Sequence, residues 1–209
     1  FSFVVYMIPG LWGAPLKALS GYIPPMTTQD FNIERTIVEY SGGTAKASSL
    51  PADRKYADVL HLPVGFEGFF DLEEAKAYAK KVNKPLFVDF TGKTCANCRK
   101  MEESVWVNER VKPILQNEYI MVALYADVNT IKLPEEEWVV GDNGKIIKTL
   151  GKKNLNYQIT HFNINAQPLY VIMDAEGNLL TEETQVFDLS IDNFVRFLEE
   201  GLTNFKKQK

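Results

Sequence analysis

A short apolar run, Leu86-Phe87-Val88-Asp89-Phe90, stops at Gly92 and leads at once into Cys95-Ala96-Asn97-Cys98. Such a run, bounded by Pro85 and Gly92, suits a strand buried on both faces. Beyond Cys98, Met101, Val105 and Trp106 recur at helical spacing, and Tyr119 to Ala126 (YIMVALYA) is a second buried strand. Strand, helix and strand in that order require a right-handed crossover between parallel strands, which makes the chain an α/β protein. The cysteines fall where the first strand gives way to the helix.

The flanking segments extend the pattern. Asp71 followed by Glu74 is a capping-box pair, and the helix it opens puts Leu72, Ala75, Ala79 and Val82 on one face. Pro113 starts or kinks a segment from Asn108 to Gln116. Val139 to Ile147 predicts a hairpin around Asp142-Asn143-Gly144, and Leu155 to Phe162 predicts a helix. Leu169 to Met173 (LYVIM) predicts a strand, followed by a turn at Asp174 to Asn178 and an antiparallel partner at Leu179 to Thr184. Ser190 caps a last helix with Phe194, Phe197 and Leu198 inward and Gly201 at its end. Upstream, residues 31–41 predict a short strand, and residues 42–58 have the composition of a linker, which places a domain boundary near residue 60.

Composition excludes some functions. The chain has 209 residues, 45% hydrophobic and 24% charged, with net charge −4. That balance offers no phosphate-binding surface, so nucleic acid is not a partner. The two cysteines are three positions apart, and a bridge between them closes almost no loop, so it contributes little to stability. Its reason is chemistry. Zinc needs four ligands, whereas only His61 and His161 could join the cysteines and neither is paired; no metal is expected. Arg99 after Cys98 excludes a C-x-x-C-H haem site. At a helix N-terminus, unpaired amides and the macrodipole favour a thiolate. Cys95 should therefore be exposed and reactive, and Cys98, a turn further in, shielded. Cys95 attacks a partner disulfide; Cys98 then resolves the mixed disulfide.

The segment from Phe87 to Cys98 resembles the active-site strand and loop of the thioredoxin superfamily. More narrowly, GLWGAPLKALSGYIPP near the N-terminus and FFDLEEAKAYAKKVNKPLFVDFTG with CANCRKMEE resemble the thiol:disulfide interchange protein DsbD family. The resemblance implies a thioredoxin-like fold, a central mixed β-sheet flanked by helices, with an N-terminal extension. It implies three parts: residues 1–30 as the end of a transmembrane helix, 31–60 as a linker and 61–209 as the thioredoxin-like domain. By itself the uncharged stretch Phe1 to Leu16 is too short to span a bilayer and lacks the basic start of a signal peptide. The implied partners are a membrane-embedded electron-donor domain and extracytoplasmic disulfide-containing clients, at the periplasmic face of the inner membrane, with no cofactor beyond the dithiol.

The resemblance also assigns positions. Asp89, six residues before Cys95, takes the place of the buried acid beneath the active site and is the expected proton acceptor for Cys98. A carboxylate bonded to a backbone group or a lysine is the other reading of Asp89. Pro168 matches the cis-proline loop, and Gln167 would offer its backbone to a partner; Thr94, Ala96 and Asn97 complete the expected docking surface. The chain departs from the family at Thr94, where most thioredoxins carry tryptophan, and residues 127–160 exceed the minimal core. Ala96 and Asn97 add no charge, so a potential nearer that of thioredoxin (about −270 mV) than of DsbA (about −120 mV) is expected. Lys93, Arg99 and Lys100 either lower the Cys95 pKa or are solvated. An isomerase, an oxidase or a redox-inactive binding module on the same fold are the alternatives to a reductase.

Overall fold

The computed structural model describes residues 2–8, 50–141 and 144–208. The strand read at 31–41, the first part of the linker and most of the N-terminal arm lie outside the described residues. Helix α1 covers Ser2–Met7. Among the described residues no helix is long and apolar enough to cross a membrane.

Five strands form the sheet: β1 (Gly68–Phe69), β2 (Leu86–Thr91), β3 (Ile120–Tyr125), β6 (Leu169–Met173) and β7 (Gln185–Val186), in the order β1-β3-β2-β6-β7. β2 runs parallel to β3 and antiparallel to β6, so the sheet is mixed, as expected. Every residue of β2, β3 and β6 is buried, because helices cover both faces. One face carries Phe87, Met101, Trp106, Tyr170 and Phe194; the other carries Val88, Phe90, Leu124 and Val171. A two-stranded hairpin, β4 (Val139–Val140) with β5 (Ile146–Ile147), stands where the sequence placed it, although Asp142 and Asn143 of its turn lie outside the described residues.

Helix α2 (Leu72–Val82) is capped as its sequence foretold: Asp71 Oδ1 accepts from Glu74 N at 3.0 Å. Glu74 does not return the bond to Asp71. Its carboxylate accepts from Lys55 N at 3.0 Å instead. Val82 is exposed, in contrast to Leu72, Ala75 and Ala79, since it sits beyond the last turn that touches the sheet. Helix α3 (Ala96–Met101) continues as a wider turn over Glu102–Trp106. Helix α4 (Lys112–Glu118) carries Pro113 in its first turn. Helix α5 (Leu150–Phe162) begins a turn and a half earlier than the apolar pattern indicated.

Two expectations are corrected. The partner of β6 is β7 and not Leu179 to Thr184, which makes only a bridge from Leu179 to Met173. After the turn at Asp174 the chain stays against β6 only as far as Leu180, whose amide donates to Ile172 O, and it returns to the strand at Gln185, opposite Tyr170. Gly201 does not end the last helix, α6 (Ile191–Lys207). A Cβ there would lie 2.7 Å from Ile172 Cγ2 and 2.8 Å from Tyr119 Oη, so the glycine lets α6 lie close on the sheet.

Residues 50–60, within the stretch read as a linker, are packed on the domain. Leu60 is buried, and Lys55 Nζ meets Glu137 Oε1 at 2.9 Å.

Candidate active site

β2 and β3 end side by side, with Thr91 opposite Tyr125. Asp127, just beyond β3, therefore reaches the loop that leaves β2. Its carboxylate accepts from Lys93 N, Thr94 N and Thr94 Oγ1, each at 2.9 Å. Gly92 is bare for the same reason, since a Cβ would stand 2.9 Å from Asp127 Oδ2. One carboxylate thus fixes the residues that deliver Cys95 to the helix.

Cys95 is the N-cap of α3, with extended backbone, and its Sγ accepts from Cys98 N at 3.1 Å. The two cysteines form a disulfide, their Cα atoms 5.3 Å apart. Cys95 is half-buried, whereas Cys98 is 1% exposed. The asymmetry follows from helix geometry: the cap lies at the surface, and the residue one turn in faces the sheet.

Asp89 of β2 shares a buried, charged neighbourhood with Arg99 and Glu102, which follow Cys98 in the chain. Asp89, in the middle of β2, is 2% exposed, and its Oδ1 has no hydrogen-bond partner. For that oxygen, the reading of a carboxylate satisfied by backbone or lysine does not hold. Burial pushes the Asp89 carboxyl well above the usual carboxylate range; the negative charge of Glu102 adds to this, and Arg99 opposes it. Glu102 is pushed up to about 7, first by burial, with Arg99 pulling the other way. Arg99 is not a solvated surface charge. Its Nη2 lies 3.0 Å from Glu102 Oε1 and also donates to Thr91 Oγ1 and Gly92 O. Sequence reasoning missed Glu102, although its position four residues after Cys98 puts both on one helix face.

Across the sheet, Gln167 precedes Pro168 through a cis peptide bond, immediately before β6. Gln158 of α5 holds this loop. Its Nε2 donates to Ala166 O at 2.8 Å, and its Oε1 accepts from Gln167 Nε2 at 2.8 Å. Nothing in the spacing of α5 distinguished Gln158 from a solvated position, yet it is fully buried.

The two sides meet at a cleft of about 310 Å³ lined by Gly92, Thr94, Cys95, Ala96, Asn97, Asp127 and Gln167. Of the expected docking residues, Thr94, Ala96, Asn97 and Gln167 line it together with Cys95; Pro168 is buried behind Gln167. Cys98 and Asp89 are buried and do not line it. No large apolar side chain is among the residues that line the cleft. Among the described residues, no group of three or more His, Cys, Asp or Glu side chains is placed to hold a metal ion.

A half-exposed sulfur at a helix start, a sealed second sulfur and a buried acid can exchange disulfides and move the accompanying proton. Residues 67–175, more than half of the chain, match the family described as thioredoxin-like. No curated protein matches the chain. Solved structures similar to it include the following three. DsbH oxidoreductase is 21% identical, covering 76% of this chain and 96% of its own, with TM-score 0.47. A thioredoxin from Thermus thermophilus is 16% identical over 64% of this chain and 85% of its own, with TM-score 0.44. The disulphide isomerase from Xylella fastidiosa Temecula1 is 17% identical over 71% and 98%, with TM-score 0.37. By the family match and the disulfide at the head of α3, the chain belongs to the thioredoxin-like family and is a thiol:disulfide oxidoreductase.

Proposed function

We propose that the protein is a protein-disulfide reductase of the DsbD type, taking electrons from a membrane-embedded domain and passing them to extracytoplasmic disulfide-bonded clients. In this reading residues 1–30 end a transmembrane helix, 31–49 link, and 50–209 form the working domain at the periplasmic face of the inner membrane. The single observation that carries the direction is the commitment of Arg99 to Glu102. Strong oxidants stabilise the thiolate of the reduced form. Here Ala96 and Asn97 are uncharged, Arg99 is neutralised, and Asp89 and Glu102 add buried carboxyl groups. The thiolate gains little, so the disulfide form is not forced to accept electrons.

Cys95 thiolate attacks a client disulfide, forming a Cys95–client bond and expelling one client thiolate, which takes a proton. Cys98 gives its proton toward Asp89 and attacks Cys95 Sγ. The mixed disulfide breaks, the Cys95–Cys98 bond forms, and the second client sulfur leaves as a thiolate that takes up a proton, matching the one Cys98 gave up. Two electrons have moved from the dithiol to the client. The dithiol of the membrane domain restores the pair by the same exchange. Gln167 supplies backbone to hold the client strand during attack.

Equilibration against glutathione tests the direction: a potential near about −270 mV supports a reductase, and one near about −120 mV overturns it in favour of an oxidase. Cys98→Ser should leave clients covalently trapped on Cys95, and Cys95→Ser should abolish insulin reduction.

A further inference from the structure

Gln158 is a long polar side chain with no exposure at all, placed on the inner face of α5. Both ends of its amide are spent on one loop: the donor on Ala166 O and the acceptor on Gln167 Nε2. Buried polar groups need such partners, but a leucine at this position would fill the space without needing any. The bonds have a directional consequence. Gln167 lines the cleft beside Cys95 and carries a side chain long enough to lie across it. Bonded to Gln158, the amide of that side chain is held at its far end by α5.

We infer that Gln158 is a positioning residue for client binding: it holds the Gln167 amide out of the cleft and so sets the affinity for the client strand beside Cys95. The inference rests on the reductase reading and names how its substrate site is kept open. Gln158 touches neither cysteine in this arrangement, so its removal weakens binding and leaves the dithiol chemistry intact.

The test is insulin reduction with the full chain. Gln158→Met keeps the volume and helix propensity but removes donor and acceptor. KM for insulin should rise about tenfold, equivalent to ~1.4 kcal/mol, with kcat and redox potential unchanged. Adding Gln167→Ala to this variant deletes the side chain that swings into the cleft and should bring KM back down; a merely structural role for Gln158 would not be rescued. Should Gln158→Met fail to fold, Gln167→Met breaks the same amide pair from a half-buried position and must raise KM likewise. An unchanged KM in these variants, a shift in redox potential with KM, or failure of the rescue overturns the inference. Wild-type protein that reduces no insulin overturns the reductase reading, and with it this one.

Discussion

At the scale of single residues, the chemistry turns on acids that water cannot reach. Asp89 and Cys98 are both sealed from water, and in the proposed mechanism Asp89 takes the proton that leaves Cys98. Asp89→Asn should slow resolution of the mixed disulfide by roughly 10²-fold, the usual scale of a lost proton acceptor, while attack by Cys95 keeps its rate. Rapid-quench analysis of the mixed disulfide separates the two steps. Glu102 makes a second prediction. Its carboxyl titrates higher in the fold than in the unfolded chain, so the native state binds the extra proton and stability falls as pH rises. The contribution is complete below about 4.5 and is lost as pH climbs through about 7, which amounts to roughly 3 kcal/mol. Asp89 acts in the same direction. Denaturant midpoints at about pH 5 and about pH 8 should show the drop, and Glu102→Gln should flatten it.

At the scale of elements, local signals and packing constraints separate cleanly. The Asp71 cap of α2 was readable because a side-chain oxygen three residues before an amide is a local arrangement. Asp71→Ala should lower stability by about 1 kcal/mol in chemical denaturation. Gly201 misled, because a glycine near a helix end reads as a stop whether or not a sheet lies beneath it. Its bare Cα answers the approach of Ile172 and Tyr119, elements distant in sequence. Gly201→Ala should therefore destabilise by about 1–3 kcal/mol through crowding, although alanine is the better helix former by ~1 kcal/mol. A stabilised variant would sink that account of the α6 packing. β7 escaped notice for a related reason: two residues carry no periodicity, and only the register with Leu169 and Tyr170 defines them.

At the scale of the whole molecule, the packed unit reaches further upstream than the family match, which starts at residue 67. Leu60, Phe70, Ala123, Tyr125 and Leu150 share one buried cluster. Lys55 ties the same segment to Glu74 of α2 and to Glu137 before the hairpin. Lys93 Nζ donates to Val59 O, so this segment also touches the loop that carries Cys95. Leu60→Ala should cost about 2–5 kcal/mol, the range for a buried leucine, as measured by thermal or urea unfolding. A cost near zero would show that the segment is an appendage.

The sequence by itself determined the order of the central elements β2, α3, β3 and β6, the place of Cys95 and Cys98 at a helix start, and the depth of Asp89 in an apolar strand. These are consequences of periodicity, capping and spacing, which act between near neighbours along the chain. The tertiary structure alone decided that Arg99 is spent on Glu102, that Asp127 shapes the loop before Cys95, and that Gln158 bonds the side-chain amide of Gln167. Each of these joins side chains through space, where only the closing of the sheet and the seating of helices upon it bring donor and acceptor within bonding distance.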